Sequence, residues 1–253
     1  MKTPYDYSKK STAEEIRERF DHDVDRFSNL EIGQTAAIDG ALCLNMIAEC
    51  AAATYPKMTH VLDIGCGAGN FSLNLIKHLR EQQDLPPDEP MDLQITLIDL
   101  SPNMLERAVQ RLMPHTSGTI TPICDDFQHV TIMDDQYDVV LAGAVLHHLR
   151  EDKQWQDAFV KIYTTLKPGA SLWVFDMIAH DNSSAQQACQ KLYSDYLIAF
   201  KDEAYRDEVF AYIEKEDTPR SLGWQSRQLY AAGFSDVDVL HKHALMAAYV
   251  ATK

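Results

Sequence analysis

A run of apolar residues that ends in alternating glycines and then resumes at helical spacing can hold a ligand against backbone. Residues 61–70, Val-Leu-Asp-Ile-Gly-Cys-Gly-Ala-Gly-Asn, have that form. Gly65, Gly67 and Gly69 permit a tight turn and let the main chain approach a ligand closely, and the helix that follows offers unpaired N–H groups. Asn70 stands where a dinucleotide fingerprint has Gly or Ala, and no Gly-Lys-Ser/Thr follows, which excludes a phosphate-binding P-loop. The carboxylates narrow the chemistry. Asp63, two residues before the first glycine, suits a cationic amino group better than a pyrophosphate. Asp99, at the tip of the next apolar run, can accept both hydroxyls of a ribose. Asp125 or Asp126, after the third run, can accept from an adenine amino group, with Asp125 the better placed, and Phe127 beside them can offer ring contact or a backbone N–H. Acids at three successive strand ends fit one ligand, an adenosine carrying a cationic amino acid.

The elements that must position these groups are readable from periodicity. Strands are expected at His60–Ile64, Gln94–Ile98, Thr119–Ile123, Tyr137–Gly143 and Ser171–Met177, with helices between them, including Pro102–Leu112 and Gln154–Leu166. Such alternation predicts a parallel, doubly wound α/β sheet. Residues 11–27 read as a polar helix, and Thr35 to about Ala53 as an apolar one with Ile38, Leu42, Met46 and Ala53 on one face. After the fifth strand the rhythm breaks into a long helical stretch, 183–213, rich in tyrosine (Tyr193, Tyr196, Tyr205, Tyr212), before a helix near Pro219–Ala232 and two final strands, Val237–His241 and Ala244–Ala251. A connection this long reads as a cap over the substrate site. One domain, 1–253, is expected: an N-terminal helical segment 1–57, a core 58–178, the cap 179–218, and a last helix with a strand hairpin 219–253.

Composition limits the partners. The formal charge of −15 over 253 residues disfavours nonspecific binding to phosphate backbones or anionic lipid, and favours a small-molecule substrate, although a local patch for a specific RNA stays compatible with it. The absence of a membrane-length apolar run or an N-terminal apolar leader, and five cysteines without a CxxC pair, predict a cytoplasmic protein with reduced thiols and no membrane partner. No cluster with metal-ligand spacing is visible, so no metal is expected. The oligomeric state stays open, a homodimer through the cap region being one arrangement.

The ordered motifs resemble those of the class I S-adenosylmethionine-dependent methyltransferases: VLDIGCGAG, LIDLSPNML, CDDF, DVVLAGAVLHHL and LKPGASLWVFD, across about residues 58–178. The resemblance implies a mostly parallel, seven-stranded Rossmann-like sheet and S-adenosylmethionine as cofactor. It implies that Asp63 and the loop Gly65, Cys66, Gly67 and Gly69 hold the methionine part. Asp99 would hold the ribose, and Asp125, Asp126 and Phe127 the adenine, with Leu100, Met104 and Ala142 bordering the same site. Cys124 departs from the Gly that relatives often carry. Methyl transfer from a sulfonium is a direct in-line displacement that needs proximity and exclusion of water, and a base only where the acceptor must lose a proton. Candidates for that acceptor chemistry are His147, with His148 beside it, and Asp176 at the end of strand five. No Asn/Asp-Pro-Pro-Tyr/Phe or Pro-Cys follows strand four, which disfavours methylation of nucleobase amino groups or of pyrimidine C5. The helical N-terminal segment IRERFDHDVDRF, the insertion and the terminal AAGFSDVDVLHKHALMAAYVATK are similar to the carboxy-S-adenosylmethionine synthase group. That likeness implies a cofactor whose extra carboxylate needs a cation, for which Arg206, Arg220 and Arg227 are available. A tRNA-modifying enzyme, a noncatalytic S-adenosylmethionine-binding protein and a nicotinamide oxidoreductase are the other readings.

Overall fold

The computed structural model describes residues 5–29, 36–86 and 89–253; the expected helix start at Thr35 lies outside them. The five apolar runs form parallel strands β1 (His60–Ile64), β2 (Gln94–Asp99), β3 (Ile120–Cys124), β4 (Tyr137–Gly143) and β5 (Leu166–Met177). Two further strands, β6 (Asp236–His243) and β7 (Met246–Thr252), form an antiparallel hairpin, and β7 pairs antiparallel with β5. The resulting seven-stranded sheet has the order β3-β2-β1-β4-β5-β7-β6. β5 starts earlier than expected because Lys167-Pro168-Gly169 is absorbed into the strand, with Tyr137 paired to Leu166 before a register shift.

Helices α1 (Ala13–His22) and α2 (Val24–Phe27) occupy the N-terminal segment. They are two helices where the polar pattern predicts one, because the chain leaves helical geometry at Asp23. Thr12 and Glu15 form a reciprocal capping box that sets the start of α1. Between strands lie α3 (Gly40–Thr54), α4 (Asn70–Gln83), α5 (Pro102–Leu112) and α6 (Asp152–Thr165). Ser101 caps α5 through the Met104 N–H, with Pro102 at the first helical position. The expected face of α3 is a correction: Leu42 is 58% exposed and Ala53 exposed, while Cys43, Leu44, Ile47, Ala48, Ala51 and Ala52 are buried. The helix is apolar nearly all round, so periodicity carries little information there; its alanines present the flattest side for close packing.

After β5 come α7 (Ser183–Phe200) and α8 (Glu203–Glu216), separated where Asp202 caps α8, then α9 (Leu222–Ala232). A bridge between Ala179 and Ser221 closes the base of the excursion. One core, under α3–α5, reaches into the cap through Tyr193, Leu197 and Val209. The other packs Trp155, Phe159 and Ile162 of α6 and Leu229 of α9 on the opposite face. The central strands are therefore buried on both sides, as parallel strands under two layers of helix must be, while the edge strands β3 and β6 stay largely exposed. All five cysteines are free thiols, and no helix among the described residues is long and apolar enough to cross a membrane.

Candidate functional site

In the order β3-β2-β1-β4-β5 the chain winds outward in both directions from β1 and β4, and the crevice at their C-terminal ends is where such sheets bind ligands. The turn after β1 is anchored by the Gly65 and Cys66 N–H groups, both donating to the Ile98 carbonyl (2.8 and 3.1 Å). Each glycine has its own reason. Gly65 (φ +63°) faces Val145 so closely that a Cβ would lie 2.4 Å from its Cγ2, and Gly69 (φ +81°) packs on Ala108 and Leu112 of α5. Gly67 (φ +50°) has nothing within 4 Å of a Cβ: it borders open space.

Asp63 is fully buried at the floor of this crevice. Its Oδ2 accepts from Ser72 Oγ (2.6 Å), while Oδ1 has no hydrogen-bond partner. Burial pushes its carboxyl up to about 7, against the lowering effect of Ser72. A buried acceptor left this way costs on the order of 1–3 kcal/mol, and a donor placed beside it would recover that cost. Asp99 accepts from Gly67 N (Oδ2, 2.8 Å) and Ser101 N (Oδ1, 2.9 Å), which fixes the carboxylate while leaving each oxygen a second lone pair. Burial raises its pKa, and those two backbone bonds work against the rise.

One cavity unites Asp63, Gly65, Cys66, Gly67, Asp99, Leu100, Met104 and His147 from the sequence-predicted set. Gly69, Asp125, Asp126, Phe127, Ala142 and Asp176 do not line it. Asp125 and Asp126 sit one strand over, where the Asp125 N–H donates to the Asp99 carbonyl (3.2 Å) and Asp126 Oδ1 accepts from Gln128 N (2.8 Å). Phe127 is buried with the Lys161 ammonium over its ring. Ala142 is wholly enclosed in the core beneath α6, and its neighbours Gly143 and Ala144 line the cavity in its place. Ala144 holds φ +53°, a left-handed conformation costly for alanine, at the rim of the crevice.

At the far end, Asp176 sits behind His147. It accepts from the His147 ring Nδ1, from His147 N (3.1 Å) and from Met177 N (2.7 Å). Asp217, at the end of α8, brings Oδ1 to 3.6 Å from His147 Nε2 and 3.4 Å from His148 Nδ1. Burial lowers the His147 pKa, but the Asp176 and Asp217 carboxylates outweigh it and hold the ring at about 9. His148 is driven well below the usual imidazole range by burial and by His147. Burial raises Asp217 to about 6, offset in part by His147.

The roof comes from both remote segments. Arg19 of α1 forms a bidentate pair with Glu216 (2.8 and 3.1 Å), donates to the Tyr212 hydroxyl (2.8 Å), and lies over the rings of Phe20 and Tyr212. Lys10 donates to the carbonyls of Glu214 and Asp217, and Asn70 donates to the Phe27 carbonyl (2.8 Å). Phe20, Tyr193, Tyr205 and Tyr212 line the cavity. Sequence reasoning missed Arg19, Phe20 and Asp217; only the aromatic density of the cap hinted at them. Of the arginines set aside for an extra carboxylate, Arg220 is committed to Asp152 (2.8 Å) and Arg206 to Asp207 (2.6 Å), and neither they nor Arg227 lines the cavity.

Residues 61–169 match a family model described as a methyltransferase domain. A carboxy-S-adenosyl-L-methionine synthase of Geobacter metallireducens is 28% identical over 199 residues, which span 77% of this chain and 76% of that protein. One of Desulforapulum autotrophicum is 28% identical over 214 residues, 81% of this chain and 79% of that protein. Among solved structures, the cyclase SpnF superposes with a TM-score of 0.62 at 15% identity, covering 96% of both chains. Human N-acetylserotonin methyltransferase, solved with its methyl donor, superposes with a TM-score of 0.56 at 19% identity, over 97% of this chain and 63% of that one. At these identities the structural likeness is one of fold.

Proposed function

We infer that this chain, an enzyme carrying a methyltransferase domain of the class I S-adenosylmethionine-dependent family, transfers a methyl group from S-adenosylmethionine to a small-molecule acceptor. The observation that carries this reading is the unpartnered, buried Asp63 Oδ1 at the floor of a glycine-walled crevice, one strand from a second fixed carboxylate, Asp99. That pair fits an ammonium at one end of a ligand and a ribose diol at the other. S-adenosylmethionine supplies, when bound, a methyl already activated on a sulfonium, which suits direct in-line displacement. The protein's work is then positional. Asp63 and the Gly65–Ala68 backbone would hold the amino-acid end and Asp99 the ribose. Leu100 and Met104 would border the adenosine, and Asp125, Asp126 and Phe127 stand one strand away on the adenine side. α1 and α8 exclude water from the far end, where His147, aimed by Asp176, would orient the acceptor.

The same cavity favours a small acceptor, since it is roofed by helices and walled by tyrosines. The similarity to carboxy-S-adenosyl-L-methionine synthases makes the carboxylated cofactor a second ligand to titrate. Against it, Arg19, a cavity cation, is already paired with Glu216. Calorimetric titration with S-adenosylmethionine tests the reading: micromolar binding by the wild type, lost in Gly67→Val, whose side chain would enter the open space, is the expected result. A wild type that binds neither form of the cofactor overturns it.

Asp63 also sets a pH dependence. Its pKa is raised from 3.8 to about 7 in the free protein, so below pH 7 it is protonated and must ionise to meet an ammonium. Affinity should therefore fall about tenfold per pH unit below 7, with a proton released on binding, visible as a buffer-dependent heat. The raised pKa also means that folding stability is fully present below about pH 4 and declines as pH rises through 7. Asp63→Asn should remove both slopes; an unchanged pH profile in that variant would assign them elsewhere.

A further inference from the structure

We propose that His147, His148 and Asp217 bind a divalent transition-metal ion, of the kind that imidazole and carboxylate ligands favour, at the far end of the cavity. The three ligand atoms lie within 4.8 Å of one another. They come from the turn after β4 and from the end of the cap, which is why no metal spacing is visible in the sequence.

The distances fit an ion better than a set of hydrogen bonds. Asp217 Oδ1 is 3.4 Å from His148 Nδ1 and 3.6 Å from His147 Nε2, long for N–H···O contacts. Metal–ligand bonds of about 2.0–2.2 Å at near-tetrahedral angles place neighbouring ligand atoms about 3.3–3.6 Å apart. Asp217 Oδ1 and His148 Nδ1 are also both buried with no hydrogen-bond partner, and the Asp217 side chain is only 1% exposed. Two unsatisfied buried polar atoms 3.4 Å apart are rare in a folded protein, and one cation would satisfy both.

The surroundings have the form of a supported site. His147 Nδ1 is engaged by Asp176, so an ion would bind at Nε2, which lies on the Asp217 side, by displacing its proton; a carboxylate behind an imidazole orients the ring in this way at metal centres. Asp176 is itself held by the His147 and Met177 N–H groups. The two ligand segments are tied together by Thr218 N donating to the His147 carbonyl (2.8 Å). Three protein ligands leave coordination positions free on the cavity side, where an acceptor's hydroxyl or carboxylate can bind. That last role rests on the methyl-transfer reading; the ion site itself does not. A second cluster, Asp39 with His241 and His243, has already spent its carboxylate on hydrogen bonds of 2.9 and 2.7 Å, and it serves as a control.

The test is titration of the chelator-treated full chain with Co2+, without cofactor, read by its visible absorption bands and by competition with Zn2+. One Co2+ per chain with the bands of a four- or five-coordinate ion is expected. Asp217→Asn and His148→Gln should each lose these bands, Asp176→Asn should weaken binding by about 10–100-fold, and Asp39→Asn should change nothing. A wild type without bands, or bands that survive both ligand substitutions in folded protein, or bands lost in Asp39→Asn, overturns the proposal. S-adenosylmethionine binding, measured separately on the same variants, reports on the functional reading alone.

Discussion

Asp99→Ala should weaken S-adenosylmethionine binding by at least about a hundredfold, on the order of 3 kcal/mol, while leaving the fold in place. The expected size reflects two losses in one substitution. The carboxylate that would bridge the ribose hydroxyls is gone, and so is the acceptor that holds Gly67 N at 2.8 Å and with it the shape of the glycine loop. Asp99→Asn keeps one carbonyl oxygen and should fall between the two. Calorimetry gives the affinities and a thermal melt without ligand checks the fold. If Asp99→Ala binds within threefold of wild type, the ribose role assigned to it is wrong.

A large effect on stability is expected at Gly65. An alanine there would press its Cβ to 2.4 Å from Val145 Cγ2 and 2.7 Å from Val145 Cβ while holding φ at +63°. Overpacking of this kind costs about 1–3 kcal/mol, and the left-handed backbone adds roughly 1 kcal/mol. For a chain of this length that corresponds to a fall in Tm of about 5–15 °C. Gly67→Ala carries only the backbone strain, because its Cβ meets nothing within 4 Å. It should melt within a few degrees of wild type. Val145→Gly in the Gly65→Ala background removes the obstacle and should recover part of the loss; no recovery would place the damage in the backbone alone.

The glycine-loop side of the crevice was legible because its residues are local. Asp63, Gly65 and Gly67 lie within one turn, Asp99 ends the next strand, and the alternation of strand and helix puts those ends side by side. Ala142 was expected at the crevice but does not line it, for a physical reason. Strand β4 is buried on both faces, so nothing in its pattern tells which neighbour borders the crevice, and the open side belongs to Gly143. The face of α3 was misread for a similar reason, since a helix with few polar positions has no reliable apolar stripe. At the far end the sequence pointed to His147, His148 and Asp176 but not to the groups that meet them. Arg19, Phe20 and Asp217 gain meaning only when α1 and α8 meet, and no local period encodes a contact between segments so far apart.

That meeting of α1 with α8 has a consequence in time. Arg19 and its partner Glu216 are 197 residues apart in sequence. At about 5–20 residues per second, helix α1 leaves the ribosome roughly 10–40 s before the surface it will rest on exists. Through that interval α1 and α2 can rest on Asn70 and α5, but the side of the crevice that α8 closes stays open. The nascent chain thus acquires its glycine loop early and its roof last, so a closed chamber belongs to the finished protein and not to the chain being made.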